Sequence, residues 1–106
     1  MTKQPTSGRW QNMETNSQDI LAQVDGIISE RGLQYGDPSE SFCQIAEIWT
    51  TLLRSQLAPG QRLSASDVGL LMASLKIVRQ SNTHKRDNLV DAIGYLTIVS
   101  RLEERP

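Results

Sequence analysis

The sequence predicts an all-α fold, an antiparallel bundle of about four helices behind a disordered N-terminal tail. Three observations predict it. Apolar residues recur at spacings of three and four in four separate segments. The breaks between those segments carry Gly, Pro and polar capping residues. Strand-like alternation and internal repeats are absent.

Residues 1–16 are rich in Thr, Gln, Ser and Asn and have no apolar period, so they are expected to form a disordered tail that includes Trp10. Residues 17–106 then form a single helical domain. Its first helix is expected from about Ser17, the N-cap, to Arg31, with Ile20, Leu21, Val24, Ile27 and Ile28 on one stripe and Gly32 as the stop. After a short connector, Asp37-Pro38-Ser39-Glu40 is a helix start, with Asp37 as N-cap and Pro38 where its missing N–H costs nothing. The second helix carries Phe42, Ile45, Ala46, Trp49, Leu52 and Leu53 and is expected to end near Gln56. Pro59-Gly60 marks a turn. Ser64 and Asp67 have capping-box spacing and open a third helix running to about Gln80, with Val68, Leu71, Met72, Leu75 and Val78 expected inward. A fourth helix begins between Thr83 and Asp87 and reaches about Glu103. Its apolar residues cover most of its circumference, which suits the centre of a bundle or a subunit interface. Gly94 is a candidate for close helix approach.

The chain has 106 residues, which fits one domain, with 11 basic and 12 acidic residues and a net charge of −1. That balance gives no strong sign of nucleic-acid binding. The lone Cys43 excludes an intramolecular disulfide or a cysteine zinc site. It suits a reducing cytoplasm and is read as an inert helix residue. No apolar run approaches the roughly 20 residues needed to cross a bilayer. The N-terminus has no signal-peptide core. A cytoplasmic protein without a membrane partner is expected.

The informative charges lie where the apolar pattern marks inward positions. Asp91 sits between Val90 and Ala92, and a carboxylate there needs a cation, a metal or strong donors. Asp87 lies one turn before it, and two adjacent carboxylates suit an oxygen-ligated ion such as magnesium or manganese. Lys76 and Arg79 share a face of the third helix. They either neutralise Asp87 and Asp91 as an interhelical network or hold the phosphates of a ligand. Glu40 and Glu47 share a face of the second helix, although Glu40 also suits a helix cap. His84 reads more readily as a solvated loop residue than as a catalyst, and Trp49 and Tyr95 more readily as core than as stacking surfaces.

Taken together, Glu30 to Pro38, Phe42 to Trp49, Leu75 to Arg79 and His84 to Tyr95 resemble a small phage and prophage domain of unknown function, over about residues 18–100. The Tyr-Gly-Asp-Pro and His-x-x-Asp-Asn-x-x-Asp-x-x-Gly-Tyr pieces carry the resemblance. That domain is more distantly similar to the MazG-type all-α nucleoside triphosphate pyrophosphatases. Those enzymes hold magnesium with acids from two helices and release NMP and pyrophosphate. In the Glu-x-x-Asp part of their motif, Asp91 matches the Asp and Asn88 stands in place of the Glu.

The resemblance implies a metal-dependent NTP or dNTP pyrophosphatase. Asp91, Asp87 and Glu47 would be catalytic acids, and with Glu40 they would form the metal set. Lys76, Arg79, His84, Lys85, Arg86 and Asn88 would line the substrate site. A second expectation is a non-catalytic protein that sequesters a nucleotide or nucleotide-derived signal of host defence, with Tyr35, Trp49 or Tyr95 stacked on the base. A third is a structural or protein-binding helical module. All three imply self-association as a dimer or tetramer. The first two place the site between the second, third and fourth helices.

Overall fold

The computed structural model describes residues 6–104, with side chains from Asp19 onward. Four α-helices make up the described residues: α1 (Thr6–Tyr35), α2 (Pro38–Leu52), α3 (Ala65–Asn82) and α4 (Arg86–Glu104). A single 3-10 turn, Arg54–Gln56, follows α2. No strand occurs among the described residues, and no helix there is long and apolar enough to cross a membrane.

Both ends of α1 differ from the sequence expectation. The helical backbone begins at Thr6, well ahead of Ser17. A helix with no apolar face to cover leaves no periodic signal, and no Pro interrupts the segment from Thr6 onward. Residues 1–5 of the expected tail lie outside the described residues, as does the side chain of Trp10. At the other end α1 passes through Gly32. A helix interior tolerates Gly at a cost of about 1 kcal/mol, and the actual stop is Gly36, at φ +83°. Its N–H donates to the Gly32 carbonyl at 2.9 Å, closing the last turn through a left-handed residue that only Gly adopts cheaply.

The capped starts expected for the second and third helices are present. The Asp37 carboxylate accepts from the Ser39 N–H at 2.9 Å, with Pro38 next to it at the head of α2. Ser64 and Asp67 form a reciprocal capping box, with bonds of 3.1 and 2.9 Å. The α2–α3 connection is tied back by Thr50. Its buried hydroxyl oxygen accepts from the Leu63 N–H at 2.9 Å.

Helices α3 and α4 form the main pair. They run antiparallel, with α2 on α3 and α1 on α4, while α1 touches α2 only lightly. The core centres on Phe42, Ala46 and Val68, packed by Trp49, Met72, Tyr95 and Ile98. Val68 and Val90 are fully enclosed, each worth about 1.5–3 kcal/mol relative to exposure.

The inward face of α3 differs from the expected one. Val68 and Met72 point in, but Leu71, Leu75 and Val78 are exposed, and Gly69 and Ala73 are buried in their place. The physical reason is helix separation. A Cβ on Gly69 would collide with Val99 Cγ2, so α4 lies against the small-residue side of α3 and leaves the larger aliphatics outside. Close approach therefore occurs at Gly69. At Gly94, the expected position, a Cβ would meet nothing within 4 Å.

Gly69→Ala is expected to destabilise the protein by about 1–3 kcal/mol, the usual range for overpacking. Chemical denaturation of Gly69→Ala, Val99→Ala and the double variant checks this. The double variant should be more stable than the sum of the two single effects predicts.

Candidate functional site

Asp91 projects from the second turn of α4 and is only 11% exposed at its side chain. Two cations from different helices meet it. Lys76 of α3 places Nζ 3.0 Å from Oδ2, and Arg31 of α1 places Nη2 3.5 Å from Oδ1. Lys76 is nearly as covered as Asp91, whereas Arg31 is half exposed. A carboxylate largely removed from water requires such partners, since desolvating an unpaired charge costs several kcal/mol.

The pair with Arg31 opens onto a cavity of about 690 Å³ between the C-terminal turns of α1, the start of α2 and one face of α4. Its walls are apolar where Ile27, Phe42, Ile45 and Ile98 contribute, and polar where Glu30, Arg31, Gln34 and Asp91 do. Tyr35 stands at its rim, largely exposed, and Tyr95 lies inside against Phe42, with ring centroids 6.2 Å apart. Gly94 lines the same space, and the room a Cβ would find there belongs to it.

A second depression, of about 400 Å³, lies at the α3–α4 turn and is bordered by Lys76, Ile77, His84, Asn88 and Leu89. Asn88 braces this turn. Its amide donates to the Thr83 carbonyl at 3.2 Å and to Gln80 Oε1 at 3.4 Å, and Gln80 Oε1 also accepts from the Lys85 N–H at 3.0 Å. Arg86 donates from Nε to Gln23 Oε1 at 2.6 Å, joining the turn to α1.

The residues singled out in the sequence are thus divided among several places. Tyr35, Asp91 and Tyr95 share the large cavity. Lys76, His84 and Asn88 share the second depression, while Arg79, Lys85 and Arg86 are exposed around the same turn. Arg79 and Asp87 make no ion pair among the described residues. Trp49 packs against the core and does not line the cavity. Glu40 and Glu47 are exposed on α2. Among the described residues no three His, Cys, Asp or Glu side chains come together as a metal-holding group. The four acids Glu40, Glu47, Asp87 and Asp91 are therefore not gathered around one point. The cavity beside Asp91 also lies between α1, α2 and α4, whereas a site between α2, α3 and α4 was expected.

Sequence reasoning missed Glu30 and Arg31 as cavity residues and assigned Gly94 to helix approach instead. Arg31 left a signal. It falls three and four residues after Ile28 and Ile27 and seven after Val24, which places a cation on the apolar stripe of α1.

Residues 19–103 match a domain of unknown function, DUF6378. The chain belongs to this family. The matched span contains Arg31, Lys76 and Asp91 and every described wall of the cavity. The chain is also 35% identical over 92 residues to the Gene 55 protein of Mycobacterium phage D29. That alignment covers 85% of this chain and 57% of the phage protein, so the chain spans little more than half of that relative's length. No solved structure matches. The expected likeness to a small phage domain of unknown function is borne out at that level.

Removing one partner of the covered ion pair leaves the other charge uncompensated. Asp91→Ala is expected to lower stability by about 1–3 kcal/mol. A double-mutant cycle with Lys76→Met should return a favourable coupling of about 1 kcal/mol or more. Thermal or urea unfolding measures both.

Proposed function

We propose that this protein binds a nucleotide or nucleotide-derived small molecule in the cavity between α1, α2 and α4, and holds it without hydrolysing it. The observation that carries the proposal is the state of Asp91. The one acid set deep in the wall of a 690 Å³ cavity is already neutralised by Lys76 and Arg31. Cavities of this size suit a small organic ligand. Apolar walls with Tyr95 inside and Tyr35 at the rim suit a flat ring, which gains by stacking. Arg31 is half exposed, so its guanidinium has donors to spare for an anionic group beside the ring. Kinship with a phage protein agrees with a role in sequestering a nucleotide signal of host defence, in the host cytoplasm.

Magnesium or manganese chemistry is not supported by this arrangement of acids, because the described carboxylates do not converge. The MazG-type pyrophosphatase reading keeps one observation in its favour, that Glu30 and Asp91 border the same cavity. The same experiment separates the two readings.

Titration calorimetry with NTPs, dNTPs and cyclic dinucleotides, with and without magnesium, followed by chromatography of the mixture, is expected to show binding with the ligand recovered intact. Gly94→Leu should weaken binding by at least tenfold by filling the cavity. Gly94→Ala should leave the fold intact and stabilise it by up to about 1 kcal/mol, since helical Ala replaces Gly in open space. Metal-dependent release of monophosphate and pyrophosphate would establish the pyrophosphatase instead. No heat with any of these ligands would overturn both.

A further inference from the structure

The α3–α4 pair has a back face, turned away from α2, that nothing among the described residues covers. Ile77 and Leu89 border one depression on it. Leu70 lies two turns from Ile77 on α3, and Leu96 two turns from Leu89 on α4, so the antiparallel pair carries all four on the same side. Each is between 44% and 58% exposed. Between them lie Ser74 and Ile93, so the middle of the face holds no charge. An apolar patch of this kind, on the order of a few hundred Å², marks an interaction site on a globular protein.

We propose that this face is a homodimer interface in which the α3–α4 hairpins of two copies pack face to face and antiparallel about a two-fold axis, giving a four-helix bundle. The occupant is a second copy because the charge distribution is complementary to its own reverse. At the turn end, Lys85 and Arg86 outnumber Asp87. At the open end, Asp67, Glu103 and Glu104 outnumber Arg101. A two-fold axis through the middle sets the basic end of each copy on the acidic end of the other, while the neutral centre meets itself. The size also fits. The 18 residues of α3 give a face about 27 Å long and two helices, roughly 18–20 Å, wide, about 500 Å² per partner, which matches the ~1,000 Å² total at the lower end for a biological interface. The proposal does not depend on the cavity, which lies on the other side of α4.

Light scattering during size-exclusion chromatography of the full chain at micromolar concentration should return twice 11.8 kDa. Ile77→Glu and Leu89→Glu, both at surface positions, should give the monomer mass with unchanged helical circular dichroism, through a dissociation constant raised ~100-fold or more by the buried charge. Lys85→Glu should weaken the dimer about three- to tenfold at low salt, and mixing it with Glu104→Lys should restore association between the two variants. As an independent measurement, Ser74→Cys in a Cys43→Ser background should form an intermolecular disulfide on mild oxidation, because Ser74 lies near the middle of α3 and so near the axis. A wild-type monomer at 100 µM, or a dimer untouched by both Ile77→Glu and Leu89→Glu, would overturn the proposal and leave the face to another partner.

Discussion

Asp91 draws one cation from α1 and one from α3 onto α4, and the placement of the three helices depends on that meeting. The carboxylate is largely covered, and an unpaired ion so placed would cost several kcal/mol. Lys76 is covered with it on the α3 side, so this pair also sets how α3 lies along α4. Arg31 comes from the solvent side and holds the C-terminal turns of α1 over the same point. The result is a shared wall. One side belongs to the large cavity, through Arg31, Tyr35 and Tyr95, and the other to the depression at the α3–α4 turn, through Lys76, His84 and Asn88.

The second constraint is the close contact of α3 and α4 at Gly69 and Val99. Small residues on α3 bring the backbones together, and the larger aliphatic residues then have no room inside. Dispersion and burial favour this arrangement locally, because a dense α3–α4 seam replaces a looser one. Its consequence is a chain with few large buried side chains and a broad apolar exterior. Among the described residues, the core of Phe42, Ala46 and Val68 is modest for a domain of this length.

Much of the local structure could be read from particular residues. Asp37-Pro38 and Ser64-Asp67 mark their helix starts because a cap is a contact between near neighbours and needs no distant partner. Asp91 was legible as an unusual charge because it interrupts an apolar run. The end of α1 was not legible, since Gly32 and Gly36 are equivalent as stop signals until one of them adopts positive φ. Trp49 was ambiguous between a stacking surface and core, because helical period gives a direction but not what stands opposite. The metal set failed to gather for a related reason. Glu40 and Glu47 share a face of α2, yet which way that face turns is set by Phe42 and Ala46 packing on α3.

By itself, then, the sequence determined the helical class, the caps of α2 and α3, the turn at Pro59-Gly60, and the need of Asp91 for a cation. These depend on hydrogen bonds and apolar periods within a few residues of each other. The tertiary structure alone decided that the cations are Lys76 and Arg31, that Gly69 and not Gly94 is the point of close approach, and that Leu70 and Ile77 face outward. Each of those outcomes depends on the distance and rotation between helices, which side chains far apart in the chain settle together and no local pattern encodes.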